Sequence, residues 1–139
     1  MNQKKIVANF INKHKLAVLS TVGTDEKPES AVLEFGDTTN LELIFDTYIV
    51  SRKYDNLQTN KHVAFVIGWD ENITVQYEGI AEELKGDESQ KYQEVYWIKN
   101  PAAKRWGTKE GITYFKVTPT WIRYSDLNKN PWGVFEIKF

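Results

Sequence analysis

Several features that mark particular protein classes are scarce or missing in this chain of 139 residues. It contains no cysteine, which excludes a disulfide framework, thiol chemistry and thiolate metal sites. Its two histidines, His14 and His62, lie far apart without a companion ligand pattern, which argues against metal catalysis and leaves only a carboxylate site open. The formal net charge is −1, so the charge balance gives no general reason to expect binding to nucleic acid or to an anionic membrane.

Long hydrophobic runs are also missing from the sequence. No apolar stretch approaches the length of a membrane span, and residues 1–5 lead into an amphipathic segment instead of the apolar core of a signal peptide. We therefore expect a soluble cytoplasmic protein. The length predicts one domain over residues 1–139, long enough to bury roughly two thirds of its unfolded surface.

The apolar pattern predicts an antiparallel barrel with helical additions. Amphipathic spacing indicates helices over about residues 3–13, 51–58 and 86–99, the last ended by Asn100-Pro101. Strands are predicted over residues 16–22, 30–35, 41–47, 63–69, 73–84, 112–118, 121–124 and 132–139. Residues 63–69 form a continuous apolar run, which is typical of a fully buried strand, and residues 36–40 are predicted as a turn. Most consecutive strands are joined by short turns, as in antiparallel barrels.

The segment 46–53, with the sequence DTYIVSRK, lies between two of these predicted strands. Ser51 can cap a short helix, so that free backbone N–H groups, Arg52 and Lys53 would meet in its first turn. Backbone N–H groups and the positive end of the helix dipole favour an anion, and Arg adds a bidentate fork. The segment is therefore a candidate phosphate site, and the alternative interpretation is a solvated basic helix start.

Six segments occur in a fixed order along the chain, namely LAVLST (16–21), KPESAV (27–32), LIFDT (43–47), SRK (51–53), NKHVA (60–64) and YEGIAE (77–82). These segments and the order of the predicted elements resemble the pyridoxamine 5′-phosphate oxidase-like family, the FMN-binding split barrels. The resemblance implies a mainly β fold with α additions, namely an antiparallel split β-barrel of Greek-key type. It also implies a homodimer that binds FMN at the subunit interface and acts on a small-molecule substrate.

The resemblance further implies a set of FMN contacts. Arg52 and Lys53 would hold the phosphate, with Thr47 and Ser51 as hydroxyl partners. One strand would run beside the isoalloxazine ring with its backbone groups, and a residue of a later strand would approach from the second subunit. The full set is Ser30, Ala31, Val32, Leu33, Asp46, Thr47, Ser51, Arg52, Lys53, Thr74, Gln76 and Trp132. Of these, Gln76, or Thr74 two residues earlier, is expected from the second subunit.

The sequence also departs from the vitamin-B6 enzymes of this family. Those enzymes usually carry a basic residue near the start of the second strand, where this chain has Glu29-Ser30-Ala31, and they end in an Arg-rich segment that is absent here. We therefore expect an FMN-dependent reductase with a nicotinamide donor and not a true pyridoxamine 5′-phosphate oxidase. No catalytic residue is indicated, which suits flavin chemistry. The alternatives are a non-catalytic flavin-binding or stress-related protein, or a family member that uses haem or a deazaflavin.

Overall fold

The computed structural model describes residues 2–107 and 109–139. Its helices are α1 (Gln3–Asn12), α2 (Arg52–Thr59) and α3 (Gly86–Lys99), followed by a 3-10 helix at Pro101–Arg105. Its strands are β1 (Leu16–Val22), β2 (Pro28–Glu34), β3 (Gly36–Asp37), β4 (Leu43–Tyr48), β5 (His62–Ile67), β6 (Ile73–Glu83), β7 (Ile112–Asp126) and β8 (Gly133–Lys138). The mainly β architecture with helical additions is confirmed. None of the described helices has the length and apolar character needed to cross a membrane.

The strands form one antiparallel sheet around an aromatic core. Their order is β2-β1-β5-β6-β7-β4-β3, with β8 paired to β7. Inside the sheet, the rings of Phe45 and Phe115 stack with centroids 5.3 Å apart. The buried hydroxyl of Tyr77 donates a hydrogen bond of 2.7 Å to the carbonyl of Leu41, so this core polar group is satisfied.

β7 is one long strand, so the predicted break between residues 118 and 121, which contains Pro119, is wrong. Glu78 of β6 pairs with Trp121, and the next residue, Gly79, pairs with Pro119. The pairing thus skips Thr120, and the register shifts by one residue. Such a bulge accommodates a proline, which has no N–H to give to the ladder. Gly79 is required at this point, since a Cβ there would lie 2.6 Å from the carbonyl oxygen of Thr118.

The predicted turn at residues 36–40 is also partly wrong, because Gly36 and Asp37 form the short strand β3 beside β4. A Cβ on Gly36 would lie 2.8 Å from the Cα of Tyr96, so the glycine lets α3 pack directly against this strand. The Nζ of Lys99, at the end of α3, lies 2.7 Å from Oδ1 of Asp37. These two contacts fix α3 over β3 and β4.

β5 is not fully buried, contrary to the prediction from its apolar run. Val63 and Phe65 face the core, whereas Ala64 and Val66 are exposed. The reason is that an antiparallel sheet commonly covers one face only. Val32 of β2, Val18 of β1 and Val66 of β5 are cross-strand partners. They form an apolar row on the outer face, by which we mean the side of β2, β1, β5 and β6 away from the core.

Candidate functional site

The start of α2 has the capping geometry that the sequence predicted. Ser51 has an extended backbone, and its Oγ accepts a hydrogen bond of 3.2 Å from the backbone N–H of Tyr54. The hydroxyl of Thr47, at the end of β4, lies 2.8 Å from the same Oγ. Arg52 and Lys53 are the first two residues of the helix, so two cations and two hydroxyls meet where the helix dipole is positive.

A small cavity of about 130 Å³ lies at this helix start, and we call it the α2 cavity. It brings together four of the predicted contact residues, namely Ser30, Ala31, Arg52 and Lys53. Its remaining lining comes from Leu19, Thr21 and Glu29. Residues far apart in sequence therefore converge at a place that suits an anion.

Arg52 makes one ion pair at the α2 cavity. Its Nε lies 3.5 Å from Oε1 of Glu29, and its side chain is 78% exposed. Glu29 is held in turn by α2, because Nδ2 of the buried Asn56 donates to Oε1 of Glu29 at 2.8 Å and to Oγ1 of Thr21 at 2.9 Å. Since exposed ion pairs contribute little free energy, the guanidinium can turn toward a stronger anionic partner.

β2 offers backbone groups beside this cavity. It stands at the end of the strand order and pairs with β1 alone among the described strands. Ser30 and Val32 point to the outer face, where Ser30 Oγ lies 2.8 Å from Ser20 Oγ. Leu33 is partly buried and packs against the core. The free edge of β2 suits the predicted hydrogen bonding to a ring.

A larger cavity of about 520 Å³ lies beside β4, and we call it the β4 cavity. Asp46 and Thr47 of the predicted set line it. Its other lining residues are Glu34, Tyr48, Tyr96, Ala102, Ala103, Trp106 and Ile112. Glu34 and Tyr96 are absent from the predicted set, because they come from the ends of β2 and α3, which only the fold brings together.

Asp46 of the β4 cavity has a perturbed carboxyl group. Burial raises its pKa, and the hydroxyl of Tyr96, which donates to Oδ1 at 3.5 Å, offsets part of this effect. The negative charge of Glu34 raises the pKa further, whereas Lys53 lowers it. Burial also raises the pKa of Tyr96, with Asp46 and Glu34 adding to the effect. Tyr96 is therefore a neutral hydrogen-bond donor to Asp46.

Six predicted residues line neither cavity. Ser51 caps α2 next to the α2 cavity, and Val32 and Leu33 follow the lining residue Ala31 on β2. The other three lie elsewhere on the chain. Thr74 and Gln76 are on β6, where Gln76 pairs with Val66 and faces outward. Trp132 precedes β8 and is 66% exposed. Because none of the three lines the α2 or β4 cavity, their contact with FMN stays a prediction, and for Thr74 and Gln76 it requires a second subunit.

The histidines also lie outside these two cavities. Nδ1 of His14 lies 2.8 Å from the carbonyl oxygen of Phe10, and the ring lines a third cavity of about 480 Å³ with Phe10 and Tyr124. His62 is exposed at the start of β5. Across residues 2–107 and 109–139, no three His, Asp or Glu side chains cluster as a metal site would require.

Comparisons with known proteins agree with the fold. Residues 4–126 match the family described as pyridoxamine 5′-phosphate oxidase. A putative pyridoxamine 5′-phosphate oxidase of Caenorhabditis elegans is 33% identical over 92 residues, which are 66% of this chain and 39% of that protein. The chain thus spans about two fifths of the length of the curated relative it matches.

Two solved structures extend the likeness over almost the whole chain. A haem-binding protein from Mycobacterium smegmatis has a TM-score of 0.84 at 15% identity, covering 99% of this chain and 59% of that one. General Stress Protein 26 from Bacillus anthracis has a TM-score of 0.79 at 24% identity and covers 100% of both chains. At these identities the likeness shows the fold, and it confirms the predicted split barrel.

Proposed function

The chain belongs to the pyridoxamine 5′-phosphate oxidase family, and from this premise we propose that it binds FMN and acts as an FMN-dependent oxidoreductase on a small organic molecule. The observation that carries the proposal is the convergence of Ser30, Ala31, Arg52 and Lys53 on the α2 cavity. The bound flavin would supply the hydride or electron transfer, and the protein would position it.

The α2 cavity fits the phosphate end of FMN. The fork of Arg52 can donate two hydrogen bonds to phosphate oxygens, and Lys53 adds a compact charge. Ser51 already uses its hydroxyl to cap α2, so its contribution is to fix the helix start, while the hydroxyl of Thr47 holds Ser51 in place. From this end, the ring of the cofactor would follow the free edge of β2 toward the β4 cavity.

A second copy of the chain would complete the site. The outer face exposes an apolar row in which Val32 is 61% and Val66 is 38% exposed. Two such faces in contact would bury the row, and two-fold dimers are the commonest assemblies. Thr74 and Gln76 lie on this same face, so the second subunit would carry them toward the flavin of the first.

The β4 cavity argues against the reaction from which the family takes its name. Glu34 and Asp46 line it, and none of its described lining residues carries a positive charge. A substrate phosphate would meet two carboxyl groups there without a cation to pair with it. This agrees with the sequence, which has Glu29 where the vitamin-B6 enzymes are usually basic. The substrate is therefore a small molecule other than pyridoxamine 5′-phosphate.

Titration with FMN tests the cofactor assignment. The protein should quench flavin fluorescence and shift the flavin absorption spectrum at micromolar concentration. Absence of binding with excess FMN would contradict both the function and the site.

Faster NADH oxidation by the FMN-loaded protein than by free FMN would support a reductase. An FMN complex without such activity would favour the flavin-binding or stress-related alternative, and preference for a deazaflavin would replace FMN as the cofactor.

Haem is the second candidate cofactor, because His14 has the geometry of a ligand. A Nδ1–H bond to the carbonyl of Phe10 would leave Nε2 with the lone pair that binds iron. Phe10 and Tyr124 supply apolar walls to the cavity that His14 lines. Titration with hemin tests this: a Soret band that is lost in His14→Ala and kept in His62→Ala would favour haem over FMN.

A further inference from the structure

We propose that the β4 cavity is the substrate subsite and that it takes a flat organic cation, such as an aromatic ring that bears an amidinium or ammonium group. The inference rests on the proposed function, since it names the class of molecule that would lie beside the flavin. Glu34 and Asp46 would pair with the positive group, and aromatic side chains would contact the ring.

The charge of the lining favours a cation. The carboxyls of Glu34 and Asp46 lie close enough for Glu34 to raise the pKa of Asp46. Two carboxyl groups that share a partly buried site resist ionising together. A cation bound between them would relieve this repulsion, whereas an anion would add to it.

The walls of the cavity favour a flat molecule. Tyr48, Tyr96 and Trp106 contribute three aromatic rings, and the short side chains of Ala102 and Ala103 leave room beside them. A volume of about 520 Å³ lies within the range of small-molecule sites. The faces of Tyr and Trp rings also attract cations, most strongly when the site is desolvated.

Positive groups near this cavity lie outside its lining. Arg105 and Lys109 lie over the ring of Trp106, with the cations 5.2 Å and 4.4 Å from its centroid, and both side chains are exposed. Lys53 acts on Asp46 from the α2 side. The positive group of a ligand would therefore bind at the inner end, where Asp46 and the buried Tyr96 are in contact.

The position of the cavity relative to the α2 cavity suits a substrate. Residues of β2 line both cavities: Glu34 lines the β4 cavity, and Ala31 lines the α2 cavity. Three residues of extended strand span about 10 Å. A flavin with its phosphate at Arg52 and its ring along β2 would therefore bring the ring toward the β4 cavity. Thr47 lines that cavity and is hydrogen-bonded to Ser51, which caps α2.

Three probes of one shape and different charge test the inference. Benzamidine is a cation, benzamide is neutral and benzoate is an anion. Each is titrated into the FMN-loaded protein and into the FMN-free protein, with calorimetry and tryptophan fluorescence as readouts. We expect benzamidine to bind at least about tenfold more tightly than benzamide, as one charge-assisted hydrogen bond allows, and benzoate to bind more weakly than both.

Two substitutions assign the preference to the cavity. Glu34→Gln should reduce the advantage of benzamidine over benzamide about tenfold, and Asp46→Asn should reduce it as well. Glu82→Gln, which removes an exposed carboxylate of β6 outside the cavity lining, should leave the preference intact. Equal affinity for the three probes, tighter binding of benzoate, no binding of any probe at millimolar concentration, or a preference that survives Glu34→Gln would overturn the inference.

These outcomes are separable from those of the proposed function. An FMN complex that shows no charge preference would overturn the substrate class and leave the cofactor assignment in place. A protein that prefers benzamidine but does not bind FMN would contradict the proposed function and support a cation site independent of flavin.

Discussion

The guanidinium Nε of Arg52 lies 3.5 Å from the carboxylate oxygen Oε1 of Glu29. The residue proposed to hold a phosphate thus already faces a negative charge of its own chain. The same oxygen accepts a hydrogen bond from Asn56, so Glu29 is fixed at the rim of the α2 cavity. Any anion that binds there competes with Glu29 for Arg52.

Glu29→Gln should therefore strengthen the binding of FMN. Glutamine keeps an oxygen acceptor for Asn56 but removes the competing charge. Because exposed ion pairs contribute at most about 1 kcal/mol, we expect a gain of about two- to fivefold in affinity, measured by fluorescence titration. Riboflavin, which has no phosphate, should bind as before, and Glu82→Gln should change neither affinity. Weaker binding of FMN would show that Glu29 assists the site and does not compete in it.

Arg52→Ala should weaken FMN about ten- to hundredfold, because a hydrogen bond to a charged group contributes roughly 1.5–3 kcal/mol. The affinity for riboflavin should barely change, and that contrast identifies a phosphate contact. Lys61→Ala, which removes an exposed cation just beyond the other end of α2, should leave both affinities unchanged. Equal losses for FMN and riboflavin would return the segment 46–53 to a solvated helix start.

Val66→Asp should separate the proposed dimer, because it places a charge in the outer apolar row. Sedimentation of the unmodified protein should give twice the 16.2 kDa of one chain, and the variant should give a single chain with an unchanged circular dichroism spectrum. Ile98→Asp is the control, since Ile98 is 81% exposed on α3 and lies off this face. A mass of one chain for the unmodified protein at working concentration would exclude the dimer.

Asp46→Asn should stabilise the protein near neutral pH. Burial raises the pKa of Asp46 above its ordinary value of 3.8. Because the pKa of Asp46 is higher in the folded state than in the unfolded chain, its contribution to the free energy of unfolding is most favourable below the unfolded pKa. This contribution is lost as the pH rises through the folded pKa. The difference in melting temperature between variant and parent should therefore be small below pH 3.8 and grow as the pH rises. Asp70→Asn, at an exposed turn, should show no such trend, and a pH-independent difference would contradict the assignment.

Lys99→Ala should lower the free energy of unfolding by about 3–5 kcal/mol, because it leaves the buried carboxylate of Asp37 without its ammonium partner. Chemical denaturation measures this loss. The double variant Lys99→Ala with Asp37→Asn should recover part of it, since the uncompensated charge is then gone. If the single variant were as stable as the parent, the pair would not be what holds α3 on β3.

Local signals in the sequence predicted where helix α2 begins. Ser51 followed by a short amphipathic stretch is a capping signal, and capping depends on contacts within one turn. The structure places Ser51 at that cap and Arg52 and Lys53 in the first turn. Their contact with FMN stays a prediction, because it depends on a ligand.

The features that the sequence did not predict depend on contacts between residues that are distant in sequence. The gap predicted between residues 118 and 121 contains Pro119, and only the bulge opposite Gly79 explains how β7 continues through it. Ala64 and Val66 look like core residues in an apolar run, and only the sheet pairing shows that they face outward. Glu34 of β2, Asp46 of β4 and Tyr96 of α3 line the same cavity. No local sequence pattern encodes this arrangement, because three separate elements supply it.

The alternation of β2 ties two binding events to one strand. Ser30 belongs both to the outer face and to the α2 cavity. Of the next two residues, Ala31 lines the α2 cavity and Val32 lies on the outer face. If both proposals hold, cofactor binding and subunit association are thermodynamically linked: saturation with FMN must tighten association by the same factor by which association tightens FMN. Dilution of the protein would then release its flavin, and the apparent dissociation constant for FMN would rise as the protein concentration falls.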